Sequence, residues 1–225
     1  MPANLNFSQR SVQIPPAGIE GDLAVPPDAR GIVIFAHGSG SSRFSSRNRF
    51  VARVLQETGF STLLLDLLTA KEEQVDIRTR ELRFDIGLLA ERLVEATRWF
   101  FTERTTAEFP VGYFGASTGA AAALIAAAEL PESTRAVVSR GGRPDLAGAS
   151  LRKVRAPVLL IVGGDDHQVI DLNRRAMAEF QSAKKMEIVP GATHLFEEPG
   201  ALDEVAKLAT DWFSQHLATK LAAGR

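Results

Sequence analysis

The sequence predicts an α/β fold with a mostly parallel sheet and helices on both faces. Short runs rich in β-branched and aliphatic residues alternate with longer stretches of helical periodicity along the 225 residues. Two of the runs, GIVIFA (31–36) and PVLLIV (157–162), are continuously apolar, which marks strands buried on both faces, and STLLL (61–65) reads as a further buried strand.

Residues 11–14 and 19–25 flank Pro15-Pro16-Ala17-Gly18, a turn, and predict an antiparallel start. After a second turn at Pro26-Pro27-Asp28 comes strand 31–36. Residues 48–58 read as a helix closed by Gly59, and 61–65 as the next strand. Residues 69–79 are polar and read as a connection. The stretch 80–103 then carries Leu82, Ile86, Leu89, Leu93 and Phe100 at helical spacing. Residues 110–114 predict a strand, and 118–130 a helix ending before Pro131. Strands at 136–139 and 157–162, a helix at 172–180, a strand at 185–189 and an amphipathic helix at 201–217 complete the pattern.

Composition narrows the function classes. Apolar residues at 45% and charged residues at 24% are ordinary for a soluble protein, and the length suits one α/β domain over 1–225. A net charge of −1 supplies no field that would favour nucleic acid or an anionic membrane. The absence of cysteine excludes disulfides, thiolate metal sites and a cysteine nucleophile, and fits the cytoplasm. No basic start followed by an apolar stretch opens the chain, so no signal peptide is expected. The longest apolar run, 120–128, falls well short of the roughly 20 residues that span a bilayer. No His, Asp and Glu cluster has metal-ligand spacing, so neither metal nor cofactor is expected. The expected partner is a small-molecule substrate.

The sharpest local signal is Gly115-Ala116-Ser117-Thr118-Gly119, lying between an apolar strand and an alanine-rich helix. A G-x-S-x-G turn in that setting is a nucleophile elbow, with Ser117 at a strained apex. The glycines allow close backbone approach, and the helix dipole favours developing negative charge beside the hydroxyl. A serine needs a base to attack at neutral pH. Of the four histidines, His216 lies in the closing helix, His167 beside a candidate acid, and His37 in another motif. His194 remains, in a loop after the last strand, where this architecture places its active site. The histidine in turn needs a carboxylate. Asp166 is preferred, with Asp165 its neighbouring rival and Asp145 a remote one.

His37-Gly38-Ser39-Gly40 follows strand 31–36, and its small residues let backbone reach a substrate. An oxyanion would be met by the amides of Ser39 and Thr118. Arg140, after a strand ending near the cleft, and His37 are candidates for substrate contact, Arg140 as a bidentate partner for an anion. Arg143, in the same loop, is a candidate of the same kind, with loop structure the alternative for both arginines, for example Arg143 pairing with Asp145; Arg43 and Arg47 read as a solvated helix start.

With FAHGSGSS, GYFGASTGAAAA, LLIVGGDDHQV and PGATHLFEEPG in hand, the chain from about residue 32 onward resembles the α/β-hydrolase superfamily and, within it, the dienelactone-hydrolase-like group. The resemblance implies an eight-stranded, mostly parallel sheet and a hydrolytic triad. It also implies a lid between strands 136–139 and 157–162 only in members with a longer insertion, and residues 140–156 are too few for one. Dienelactone hydrolases proper use a cysteine nucleophile; Ser117 stands there instead, which favours a general carboxylesterase-like activity on small esters or lactones. A fold kept for binding alone, or acyl transfer or perhydrolysis on the same triad, are the rival readings.

Overall fold

The computed structural model describes residues 8–102 and 109–217. Eight strands form one sheet in the order β1-β2-β4-β3-β5-β6-β7-β8. They are β1 (Ser8–Ile14), β2 (Ile19–Val25), β3 (Ile32–Ala36), β4 (Ser61–Leu65), β5 (Val111–Ala116), β6 (Thr134–Arg140), β7 (Val158–Gly163) and β8 (Lys184–Val189). The β1–β2 hairpin is antiparallel and joins β4 antiparallel; the other pairings are parallel. The helices are α1 (Ser46–Glu57), α2 (Ala70–Thr79), α3 (Ile86–Thr102), α4 (Thr118–Glu129), α5 (His167–Glu179) and α6 (Ala201–His216).

The sheet buries both faces, as its continuous apolar runs require. Along β3, Ile32, Ile34 and Ala36 join the core under α3 and α4, while Val33 and Phe35 join the core under α1 and α6. This alternation is the period-2 geometry of a strand, with both sides apolar. The alanine-rich α4 is buried on nearly every side, which is where a helix without a polar face belongs. At the sheet's edge, β8 is half exposed and begins with Lys184 and Lys185, charges that discourage pairing with another chain.

Three expectations change. Residues 69–79 are not a loop: α2 starts from a capping box in which Thr69 Oγ1 accepts the Glu72 amide and the Glu72 carboxylate accepts the Thr69 amide. The helix expected over 80–103 begins only at Ile86, after a 3-10 turn at Leu82–Phe84, and residue 103 lies outside the described residues. Residues 167–171 belong to α5, which starts directly after Asp166 rather than at residue 172. The β6–β7 connection holds only a short 3-10 segment, Pro144–Lys153, and no lid.

Candidate active site

The C-terminal ends of β3, β5, β6, β7 and β8 bring the site residues to one rim of the sheet. Ser117 joins β5 to α4 with φ 51° and ψ −121°, a conformation rarely held by a residue with a side chain. The neighbouring residues explain how the strain is sustained. The Ser117 amide donates to the Arg140 carbonyl (3.2 Å), and its carbonyl accepts the Arg143 amide (3.1 Å). A Cβ on Gly115 would overlap the Ala120 backbone, and one on Gly119 the carbonyls of Ala36 and His37. Both glycines of the motif are therefore steric requirements: α4 starts in contact with β5 and β3.

Asp166 and His194 meet directly, with Asp166 Oδ2 2.6 Å from His194 Nδ1. Their loops are stitched by backbone bonds, Gly164 N–H to the Val189 carbonyl (2.8 Å) and Asp165 N–H to the Ala192 carbonyl (3.0 Å). Gly163 must be glycine here, since a Cβ would overlap the Ala192 and Thr193 carbonyls. Although Asp166 occupies the N-cap of α5, its side chain makes no capping bond and is turned to the imidazole. Both rival acids are placed elsewhere. Asp165 is exposed, and Asp145 takes a two-pronged bond from Arg143 (2.9 and 2.7 Å), the loop pairing that stood as the alternative to a substrate contact for that arginine. His167 opens α5 at the surface, and the His216 ring lies tilted against Trp212.

The glycine-serine loop after β3 lies against the elbow. Gly38 is so close to it that an added Cβ would stand 3.0 Å from Ser117 Cβ. The Ser39 amide donates to Thr118 Oγ1 at 2.9 Å, so the two expected oxyanion residues are adjacent. The Thr118 amide, in the first turn of α4, has no acceptor within its helix. That of Ser39 is engaged by the hydroxyl, which has to rotate aside for an oxyanion to take its place.

Two expected substrate contacts fall to other roles. Both ring nitrogens of His37 are committed to backbone: Nδ1 lies 2.9 Å from the Gly38 carbonyl, and Nε2 accepts the Leu67 amide at 3.1 Å. That fixes the neutral tautomer with the proton on Nδ1, and burial lowers the ring's pKa. His37 thus holds the glycine-serine loop against the segment that follows β4, with both ring nitrogens engaged. Arg140 is 6% exposed, with Asn48 Oδ1 at 3.4 Å and the Phe196 ring centroid at 5.8 Å. Burial, and secondarily the Arg47 cation, push its pKa down to about 10, so it stays charged at neutral pH. Its guanidinium is buried over the Phe196 ring instead of standing exposed at the rim. Arg43 is not solvated either. It bonds Asp66 and Glu20 (2.6 Å to the latter) and ties the loop after β3 to the sheet.

The polar segment 69–79, a candidate wall for one side of the site, is fixed in place. Asp76, 1% exposed, accepts the Arg83 amide (3.0 Å) and Arg83 Nε (2.5 Å), which clips the end of α2 to the turn at Leu82–Phe84. Arg83 in turn reaches Gly40. The rim is open, with the His194 side chain 39% exposed. A concavity of about 770 Å³ between Pro15 and α3 contains none of these residues. Among the described residues no group of three His, Asp or Glu side chains is placed to hold a metal ion, and no helix is long and apolar enough to cross a membrane.

Sheet order, elbow and lidless rim define an α/β-hydrolase fold. More narrowly, the chain belongs to the dienelactone hydrolase family, whose sequence profile matches residues 19–219. It is 58% identical to a crystal structure of dienelactone hydrolase from Anabaena variabilis, covering 94% of this chain and 98% of that one with a TM-score of 0.91. Est1E from Butyrivibrio proteoclasticus shares the fold at 15% identity and TM-score 0.76, over 93% of this chain and 99% of that one. A Mycobacterium tuberculosis protein provisionally named a phosphoribosyl transferase is 61% identical over 202 residues, 90% of this chain. This chain spans 45% of that relative's length.

Proposed function

We propose that the protein hydrolyses small carboxylic esters or lactones through an acyl-enzyme on Ser117. The observation that carries this reading is the 2.6 Å contact of His194 Nδ1 with Asp166, which leaves Nε2 as the ring's free nitrogen at the rim that holds the elbow. In this reading Ser117 Oγ attacks the acyl carbon as His194 Nε2 takes its proton. Asp166 holds the ring's tautomer and stabilises its cation. The Thr118 and Ser39 amides receive the oxyanion. His194 then protonates the leaving alcohol, and in the second half it activates water to release the acid. In a lactone the alcohol stays tethered to the acyl group, which the open rim accommodates.

The transferase name of the mycobacterial relative belongs to a protein of which this chain matches 45%, and a serine, an imidazole and a carboxylate are the groups of acyl chemistry. We therefore assign ester hydrolysis to this chain and carry no transferase activity over to it. Labelling with a small fluorophosphonate followed by peptide mapping tests the assignment. The adduct is expected on Ser117, and Ser117→Ala should lower turnover of a short chromogenic ester by about a thousandfold or more. Unchanged turnover in that variant would point to a binding protein or to a different nucleophile. Product analysis with water, alcohol and peroxide as competing acceptors separates hydrolysis from acyl transfer and perhydrolysis.

A further inference from the structure

The segment Arg140–Gly141, at the end of β6, touches the carriers of all three proposed catalytic groups. In register, Arg140 lies between Ala116 of β5 and Ile161 of β7. Its carbonyl accepts the Ser117 amide (3.2 Å), and the Gly141 amide donates to the Ile161 carbonyl (2.8 Å) on the strand that leads to Asp166. Gly141 has φ +51° and lies directly under the base. A Cβ there would stand 3.1 Å from the His194 carbonyl oxygen, 3.3 Å from Phe196 Cε2 and 3.6 Å from His194 Cε1. Phe196 is buried, holds φ +56°, and has the Arg140 guanidinium over its ring.

We propose that Gly141 is a positioning residue, the spacer that sets how closely the imidazole of His194 approaches Ser117. The inference rests on the triad reading above and adds a physical cause for its geometry. The backbone bonds fix Gly141 relative to the nucleophile, and its missing side chain lets the His194 loop settle onto it. A methyl group at this place lifts the loop and lengthens the Ser117–His194 separation while leaving substrate-contacting groups in place. Misplacements well below the size of an atom are enough to slow a positioned reaction severely.

Gly148 is a built-in control. It has φ +52°, nearly that of Gly141, but a Cβ there meets nothing within 4 Å and the residue is exposed. Alanine at either position carries left-handed backbone strain; only at 141 does it press on the base. For Gly141→Ala, kcat is expected to fall about a hundredfold with KM within about twofold, and the fluorophosphonate labelling rate to fall in parallel. Gly148→Ala should keep kcat within about twofold while lowering the melting temperature comparably. Equal kcat losses in the two variants, or wild-type kcat in Gly141→Ala, would overturn the proposal. If Gly141→Ala does not fold, Phe196→Leu reads the same seat: a kcat loss of about tenfold or more at unchanged KM supports it, and unchanged kcat overturns it. Failure of the triad reading is distinguishable, because Ser117→Ala would then keep its activity.

Discussion

At the residue scale, the site depends on what a few side chains are prevented from doing. Asp166 stands at a helix N-cap, where a carboxylate normally bonds its own helix. Here it makes no capping bond and turns to His194. Asp166→Asn keeps the shape but not the charge that holds the imidazole in its working tautomer. The expected outcome is a kcat loss on the order of a thousandfold or more with little change in melting temperature, measured by steady-state kinetics and calorimetry on the same preparation. The preference for Asp166 over Asp165 was legible only as a preference. Adjacent aspartates after a glycine pair look alike in sequence, and the turn at Gly163-Gly164 decides which one reaches the imidazole. His37 shows the opposite: its position before Gly38 suggested a substrate contact, but nothing in the motif reveals that the β4 extension would offer the Leu67 amide to its ring.

At the element scale, α2 departs most from expectation. Val75 is 43% and Ile77 65% exposed, so the helix has no apolar stripe, and periodicity could not find it. Two local devices hold it. One is the Thr69–Glu72 capping box, a T-x-x-E signature in the sequence that no apolar run follows. The other is the buried Asp76, whose carboxyl is raised by burial but held below its usual range, on balance, by the amide and guanidinium of Arg83. Asp76→Ala leaves Arg83 and two amides without their acceptor. A loss of about 3 kcal/mol is expected by denaturant unfolding, with faster hydrogen exchange confined to α2 and the following turn. Unaltered exchange there would show that the wall is held by something else.

At the scale of the whole molecule, pH acts on stability through the partly buried, neutral His37. Burial lowers its pKa from 6.5, against a weaker pull upward from the Gly38 carbonyl, Asp66 and Glu73. The sign follows from proton counting. Below about pH 6.5 the unfolded chain binds a proton that the folded chain refuses, so stability falls with pH until the lowered folded value is reached. His216, also lowered by burial, adds to the same trend. Depressed carboxyls such as Asp76 lose their contribution only at lower pH, below the usual carboxylate range. Between pH 5 and 6.5, His37→Gln should flatten the dependence of unfolding free energy by up to about 1.4 kcal/mol per pH unit, read from urea titrations across that range. An unchanged slope would mean that the folded protein accepts the proton at His37 after all.

The sequence alone determined the layered sheet, because runs such as GIVIFA, PVLLIV and the alanine-rich 120–128 bury themselves on two sides wherever they are placed. It also determined the elbow: glycines flanking Ser117 between strand and helix admit few other local geometries. Tertiary structure decided how the groups meet. Which aspartate faces His194, whether an arginine is buried or solvated, and where Gly141 stands under the base all depend on distances between segments far apart in the chain. Those distances follow from strand order and backbone contacts between loops, which a linear pattern of residue types does not encode.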